Sequence, residues 1–213
     1  MRELGLWALA HANWHAHYFS HENPCWSELS VLQAAHAAEI LIKARIAQEH
    51  PLLIFEQLPK PGLSPESGLT FDHLIENGKT YQWNELPDRL WATTQIRLPD
   101  VERFRAFGRL RNTIQHFAAP ERDVSDETIR FIFGVIDPFI NACWAECAVD
   151  YNEDHEPYVY FVAGLITRGV IFNVSSGCVE HEKFIEFEWP EGQSEYRSEM
   201  ERRFSQAKSQ ISS

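Results

Sequence analysis

The chain has 213 residues, of which 44% are hydrophobic, 13% aromatic and 23% charged. This composition is typical of a folded globular protein with a sizeable core, and it excludes an intrinsically disordered chain. The formal net charge of −12 argues against broad, non-specific nucleic-acid binding, which needs many cations to neutralise phosphates. A local basic cleft remains compatible with that charge, because four of the 14 arginines fall between residues 103 and 111.

Hydropathy and cysteine content indicate the compartment. No apolar run reaches 18 residues, so we expect no membrane span, and the first residues lack the pattern of a signal peptide. We therefore expect a cytoplasmic protein with its cysteines reduced. The cysteines are Cys25, Cys143, Cys147 and Cys178.

Apolar spacing predicts helices through the first half of the chain. The predicted elements are helices over 2–20, 27–49, 70–77 and 86–95, with a loop rich in Pro, Ser and Gly over 51–69. The second helix is Ala-rich; we expect Ser27 to cap it and Pro51 to stop it.

Two further helices are predicted in the middle of the chain. The first runs from Asp100 to Phe117, with Pro99 in a first-turn position and Pro120 closing it. The second starts at Ser125 and continues to about 149, and Pro138 should kink it.

The character of the sequence changes after Asp150. The runs 158–162, 169–174 and 183–189 are rich in β-branched and aromatic residues, which is typical of strands, although the first run could equally be a helix. Residues 192–210 are charged and are expected to form an exposed helix or a frayed tail. The predicted fold is mainly α: a helical bundle over 1–150 and a small β or α+β appendage over 151–213, within the same globular unit.

The most informative motif lies late in the 100–117 helix, where Arg111 is followed by Asn112 and, five positions after the Arg, by His116. Histidine can transfer a proton near neutral pH. Arginine offers a planar fork of donors to the charge that develops on a phosphate. The pair therefore suits cleavage of a phosphodiester without a metal or another cofactor.

Helix geometry divides the motif between two faces. Asn112 and His116 are i and i+4 and share a polar stripe with Arg105 and Arg109, which are candidates for substrate binding. Arg111 borders the opposite, apolar face, and its stem can run along apolar surface. The apolar face consists of Phe104, Phe107, Leu110 and Ile114.

A second Arg-x4-His pair, Arg45 and His50, fits less well. It has Ile after the Arg, and its His precedes Pro51, where a helix should end.

The Arg111-Asn112-x3-His116 motif, set in a long helix after an Ala-rich one, resembles the HEPN superfamily over roughly residues 5–150. The resemblance implies a helical-bundle fold and a metal-independent endoribonuclease, with Arg111, Asn112 and His116 as the catalytic residues. It also implies a homodimer with two motifs facing one cleft, and a toxin or phage-defence role controlled by an inhibiting partner protein. Some members of the superfamily are non-catalytic, so a nucleotide- or protein-binding module is the alternative.

Glu39 and Lys43 are i and i+4 near the middle of the Ala-rich helix. They are a helix ion pair, or they border the substrate cleft if that helix packs beside the motif helix.

Other clusters support rival hypotheses. The first helix carries two i, i+4 histidine pairs, a spacing that can bind a metal, but the pairs do not share a face and no HExxH pattern completes them. Tryptophans near them could form a stacking surface for bases. We expect no metal site, and we expect Cys143 and Cys147 to be buried thiols on one helix. The histidines are His11, His15, His17 and His21, and the tryptophans are Trp7, Trp14 and Trp26.

Overall fold

The computed structural model describes residues 1–60, 68–117, 123–153 and 158–211, and this part of the chain is mainly helical, as predicted. The α-helices are α1 (Arg2–His17), α2 (Trp26–Glu49), α3 (Phe71–Asn77), α4 (Leu86–Thr94), α5 (Val101–His116), α6 (Ser125–Phe131), α7 (Asp137–Trp144), α8 (Val159–Thr167), α9 (Ser176–His181) and α10 (Ser194–Ile211). Short 3₁₀ helices cover Pro51–Ile54, Trp83–Glu85, Ala148–Asp150 and Glu182–Phe184, and a π-helical segment, Ile132–Ile136, joins α6 to α7.

A two-stranded sheet interrupts the predicted 51–69 loop. β1 (Phe55–Gln57) pairs antiparallel with β2 (Lys79–Thr80), and Phe55 lies opposite Thr80. The interpretation of residues 55–57 as loop is therefore wrong. A three-residue strand is too short to show a periodic pattern, and its pairing depends on a partner more than twenty positions away.

Helix α2 occupies the centre of the fold and packs against α1, α4, α5 and α6. Small residues make these approaches close: Ala34, Ala35, Ala37 and Ala38 are all buried. Gly5 of α1 has the same effect, since a Cβ at that position would lie 2.7 Å from Leu41 Cγ.

Helix α5 is fixed at its start by a cap and along its length by aromatic rings. Asp100, not Pro99, defines the start: its carboxylate accepts a hydrogen bond from the Arg103 backbone N–H at 3.0 Å, and Pro99 precedes this cap. The indole of Trp83 stacks on Phe104 with ring centroids 4.0 Å apart, and its Nε1 donates to the Phe104 carbonyl at 3.2 Å. Phe107 stacks on Phe131 at 3.8 Å, which ties α5 to α6.

The long helix predicted from Ser125 is irregular and ends early. The irregularity expected at Pro138 takes the form of the π-helical segment, and Pro138 itself lies in the first turn of α7. The helix ends at Trp144 rather than near 149, because Ala145 adopts a left-handed conformation (φ 57°) that terminates it. Cys147 therefore lies outside the helix that carries Cys143.

The strands expected in the C-terminal region are absent from its described part, 158–211. In the run 158–162, α8 begins at Val159, so the helical alternative is correct there, and 170–174 is not paired with another strand. Short apolar runs fit a buried helix or a strand equally well, so periodicity alone does not decide between them. Helix α10 is not frayed, because its Tyr196, Met200 and Phe204 are buried. Leu9, Phe133, Phe172 and Phe204 belong to one hydrophobic cluster that includes side chains from both sides of residue 150.

Asp137 is a buried carboxylate that accepts two long-range backbone hydrogen bonds. Its side-chain oxygens accept hydrogen bonds from the backbone N–H groups of Ala148 and Asn173, both at 2.8 Å. Burial raises the pKa of Asp137 to about 7. These two hydrogen bonds join the start of α7 to two segments that follow it in the chain.

His17 at the end of α1 packs against an aromatic ring of α8. Its ring lies 4.0 Å from that of Phe161, and its Nδ1 is 3.2 Å from the Asn13 carbonyl. Burial, and then the charge of Arg168, lowers the pKa of His17 to about 3. The His17 imidazole is therefore neutral in the folded protein at neutral pH.

Gly108→Ala should destabilise the protein by about 1–3 kcal/mol through overpacking. Alanine normally gains about 1 kcal/mol over glycine inside a helix, but here its methyl would overlap the Trp83 indole. The measurement is the free energy of unfolding in urea. Ala106→Ser, at an exposed position of the same helix, should change it by less than about 0.5 kcal/mol; a stabilised Gly108→Ala variant would contradict the packing described here.

His17→Gln should make the protein less sensitive to acid. The folded-state pKa of His17 lies below its unfolded value, so the folded state binds fewer protons and stability falls as pH drops from about 6.5 towards about 3. Between about pH 7 and about pH 4 the variant should lose less Tm than the wild type, by on the order of 5 °C. The contribution of Asp137 to stability has the opposite pH dependence: because its pKa is raised in the folded state, that contribution is lost as pH rises from about 4 to about 7. Asp137 is present in both the wild type and the variant, so it does not affect the comparison. His21→Gln, at an exposed position, should behave as the wild type does.

Candidate functional site

Arg111, Asn112 and His116 lie at the surface in the last turns of α5. Arg111 is half-buried beside the core, whereas Asn112 and His116 are exposed on the opposite side. The Arg111 Nη1 donates a hydrogen bond to Asn112 Oδ1 at 3.0 Å. The guanidinium is thus drawn round the helix towards the polar stripe, and the amide N–H₂ of Asn112 is left to donate to a ligand.

The His116 imidazole is open to solvent. It makes no hydrogen bond to the part of the chain that the structure describes, so no such contact sets its tautomer. Phe117, the next residue, is 86% exposed. An exposed large aromatic side chain beside an exposed His and Arg gives this end of α5 both an apolar and a basic component.

The apolar face of α5 is oriented as predicted. Phe104 and Phe107 are buried, and Leu110 and Ile114 pack against the core while partly exposed. This orientation places the polar stripe of α5 on the outside of the molecule.

Arg105 and Arg109 lie on the outward stripe of α5. Arg105 Nη1 is 3.2 Å from Glu102 Oε1 in an exposed i, i+3 pair, which contributes little to stability. Arg109 is exposed, and its backbone carbonyl accepts a hydrogen bond from the Thr113 hydroxyl. Both side chains therefore lie on the same side as His116, with Arg105 paired to Glu102.

Glu39 and Lys43 form the ion pair that their spacing predicts, with Lys43 Nζ 2.6 Å from Glu39 Oε1. Lys43 Nζ also donates to Thr80 Oγ1 of β2 at 3.1 Å, and the residue is only 9% exposed. These contacts assign Lys43 to the packing of α2 against β2. The prediction that the pair borders a substrate cleft stays a prediction.

The competing Arg45 and His50 pair is occupied by local contacts. Arg45 Nη1 is 2.8 Å from Glu49 Oε1, and His50 Nδ1 accepts a hydrogen bond from the Leu52 backbone N–H. Both side chains serve the end of α2 and the 3₁₀ turn that follows it.

The predicted histidine cluster is divided, because α1 ends at His17 and His21 lies in the segment that follows it. His11 Nδ1 is 2.9 Å from Glu153 Oε1, His15 packs on Trp26 with ring centroids 4.2 Å apart, and His21 meets Phe19 edge-on. Over residues 1–60, 68–117, 123–153 and 158–211, no three His, Cys, Asp or Glu side chains are grouped so that they could hold a metal ion.

The tryptophans and cysteines of the rival hypotheses differ in how far they are packed. Trp14 packs on Tyr18 and Trp26 on His15, so Trp7, at 67% exposed, has the most open ring of the proposed stacking surface. Cys147 is buried and Cys143 half-buried, both as free thiols, and burial raises the pKa of both.

Sequence reasoning missed a second group of basic side chains. Arg103 of α5, Arg130 of α6 and Arg203 of α10 line one pocket of about 370 Å³, with Asp137 at its wall. Arg203 is 100 positions from Arg103, so neither motif spacing nor helix periodicity could have connected them.

No family model matches the chain, and no match was found among curated proteins or solved structures. In the described residues, no helix is both long and apolar enough to cross a lipid bilayer.

Proposed function

We propose that this protein is a metal-independent endoribonuclease of the HEPN type, with Arg111, Asn112 and His116 as its catalytic residues. The observation that carries the proposal is the arrangement of these side chains at the open end of α5, where Asn112 holds the Arg111 guanidinium on the side that also presents His116. A proton-transfer group and a phosphate-binding fork are thereby presented together to solvent.

The chemistry that this arrangement suits is internal transesterification. A ribose 2′-hydroxyl loses its proton to a base and attacks the adjacent phosphorus, and the bond from phosphorus to the 5′-oxygen breaks as that oxygen is protonated. The products are a 2′,3′-cyclic phosphate and a free 5′-hydroxyl. His116 serves as the base or the acid, and Arg111 stabilises the charge on the phosphate oxygens. Asn112 donates to the phosphate, while Arg105 and Arg109 contact the flanking RNA backbone.

The acidic exterior limits which RNAs reach this site. With a net charge of −12, the protein repels nucleic acid over most of its surface and attracts it where arginines are concentrated. A restricted substrate range suits a toxin or defence effector, which must be held inactive by a partner protein until it is needed.

A non-catalytic nucleotide- or protein-binding module is the second candidate. The observation that favours it is the lack of any hydrogen bond from His116 to the described residues, since a catalytic base is usually oriented by a further group. A second copy of the chain that encloses the motif would supply that group and would remove the objection.

His116→Ala and Arg111→Ala should each lower RNA cleavage by a factor on the order of 100 or more, because they remove proton transfer and charge stabilisation. Arg111→Lys should not restore activity, since a point charge does not reproduce a planar fork. The assay follows a labelled RNA in EDTA and identifies the 2′,3′-cyclic phosphate, with a 2′-deoxy substrate as the uncleavable control.

Matched controls separate the motif from the competing pair. Arg45→Ala and His50→Ala should retain activity, and all variants of exposed residues should unfold within about 0.5 kcal/mol of the wild type. Full cleavage by His116→Ala would contradict the proposal, and loss of cleavage in EDTA would contradict the metal-independent mechanism. RNA binding without cleavage by the wild type would favour the binding module.

The protein should be a homodimer in solution, with both motifs in one cleft, because a single copy leaves the motif on an open surface. Light scattering at micromolar concentration should give twice the monomer mass. Phe117→Ser should weaken the dimer if this end of α5 lies in the interface, whereas Phe19→Ser, at another exposed phenylalanine (78% exposed), should not. A strict monomer would count against the proposed site.

A further inference from the structure

The pocket formed by Arg103, Arg130 and Arg203 concentrates positive charge on an acidic protein. Its lining comes from α5, α6, α7 and α10, from the π-helical segment and from the 169–173 segment, and its volume is about 370 Å³. Ligand sites in proteins are typically about 300–1,000 Å³. The size is therefore that of a site for a small molecule rather than a polymer.

Each of the three guanidiniums is steadied by a carboxylate at its Nε edge. The distances are 3.4 Å from Arg103 to Asp100, 2.7 Å from Arg130 to Asp126 and 2.7 Å from Arg203 to Glu199. None of those carboxylates lines the pocket. The arginines are thus oriented by carboxylates that lie outside the pocket lining, which lowers the entropy lost on binding.

The terminal nitrogens remain largely available. Arg203 Nη1 donates to the Phe172 carbonyl at 2.9 Å and to Asn173 Oδ1 at 3.1 Å, and Arg103 Nη1 is 3.4 Å from the Arg130 carbonyl. Within the described residues, no hydrogen bond uses the Nη2 of any of the three arginines. These unused donors match the oxygens of a phosphate group.

The backbone is shaped to admit Arg103. Gly134 lies in the π-helical segment, and a Cβ at that position would overlap Arg103 Nη1. The Arg103 guanidinium therefore occupies the space that a side chain at position 134 would fill. Isolated π-helical turns inside α-helices occur frequently at functional sites.

Among the described residues that line the pocket, Asp137 is the single acidic one, and its hydrogen bonds go to backbone N–H groups rather than to the arginines. It is 1% exposed, and both of its side-chain oxygens already accept backbone hydrogen bonds. Its raised pKa further reduces the negative charge that it places beside the pocket.

An adjoining pocket provides room for an organic group. It has a volume of about 320 Å³, shares Arg103 and Arg130 with the first pocket, and has Phe107 and Leu110 in its wall. Glu127 also lines it.

We propose that the three arginines bind the phosphate of a small organic phosphate, of the size of a nucleoside monophosphate, whose organic part lies against Phe107 and Leu110. The site is separate from the Arg111–His116 motif: Arg103 precedes Arg111 by eight residues, which is about 12 Å along a helix. The inference does not depend on ribonuclease activity.

Isothermal titration calorimetry of the full chain with adenosine 5′-monophosphate tests the site. We expect saturable binding, weaker binding of inorganic phosphate and no binding of adenosine. Arg130→Gln should weaken the nucleotide affinity by about tenfold or more, since it removes a charge-assisted contact. Gly134→Ala should also weaken it at unchanged net charge, because its methyl displaces the Arg103 guanidinium.

Two control variants make the test specific. Arg197→Gln removes the same charge from α10, where Arg197 pairs with Glu201 away from the pocket, and it should bind within about twofold of the wild type. Arg111→Ala should bind equally well. No binding by the wild type, equal binding by Arg130→Gln or by Gly134→Ala, or an equal loss in Arg197→Gln would overturn the proposal. Loss in Arg111→Ala alone would place the anion at the motif and overturn it as well.

Discussion

Alanine side chains allow neighbouring helices to approach α2 closely, and the remaining elements are positioned from that contact. Ala34, Ala35, Ala37 and Ala38 fall around the helix rather than along one stripe, so α2 is buried on several sides at once. A helix that is apolar on most of its surface is stable only inside a protein. Helices α1, α4, α5 and α6 pack against it.

Stacked aromatic rings fix the position of α5. Trp83 is fixed by stacking on Phe104 and by its hydrogen bond to the Phe104 carbonyl, and Phe107 is fixed by Phe131. Since one side of α5 is anchored in this way, its other side is held outward as a rigid surface. Rigid elements position polar groups more accurately than loops do, as the proposed phosphate contacts would require.

Arginine has two different proposed roles on that single helix. At the exposed end, the Arg111 guanidinium is oriented by the Asn112 side chain and faces solvent. Near the start, Arg103 is paired with Asp100 and rests over Gly134 in a pocket. The same fork of donors is therefore presented once on an open surface that suits a polymer and once in a cavity that suits a small anion. Separate sites on one stiff helix also allow occupancy of the cavity to be studied independently of the motif.

Local pattern determined the helices of the first half of the chain, the apolar face of α5 and the outward position of Asn112 and His116, because helix periodicity is encoded within a few turns of sequence. Tertiary structure alone decided the rest. Residues 159–162 are helical because that packing buries Phe161 and Val162 in a shared core, a choice that a short apolar run leaves open. The depressed pKa of His17 and the two hydrogen bonds to Asp137 arise from neighbours distant in the chain. The pocket of Arg103, Arg130 and Arg203 has the same origin, since only packing brings their three helices to one cavity.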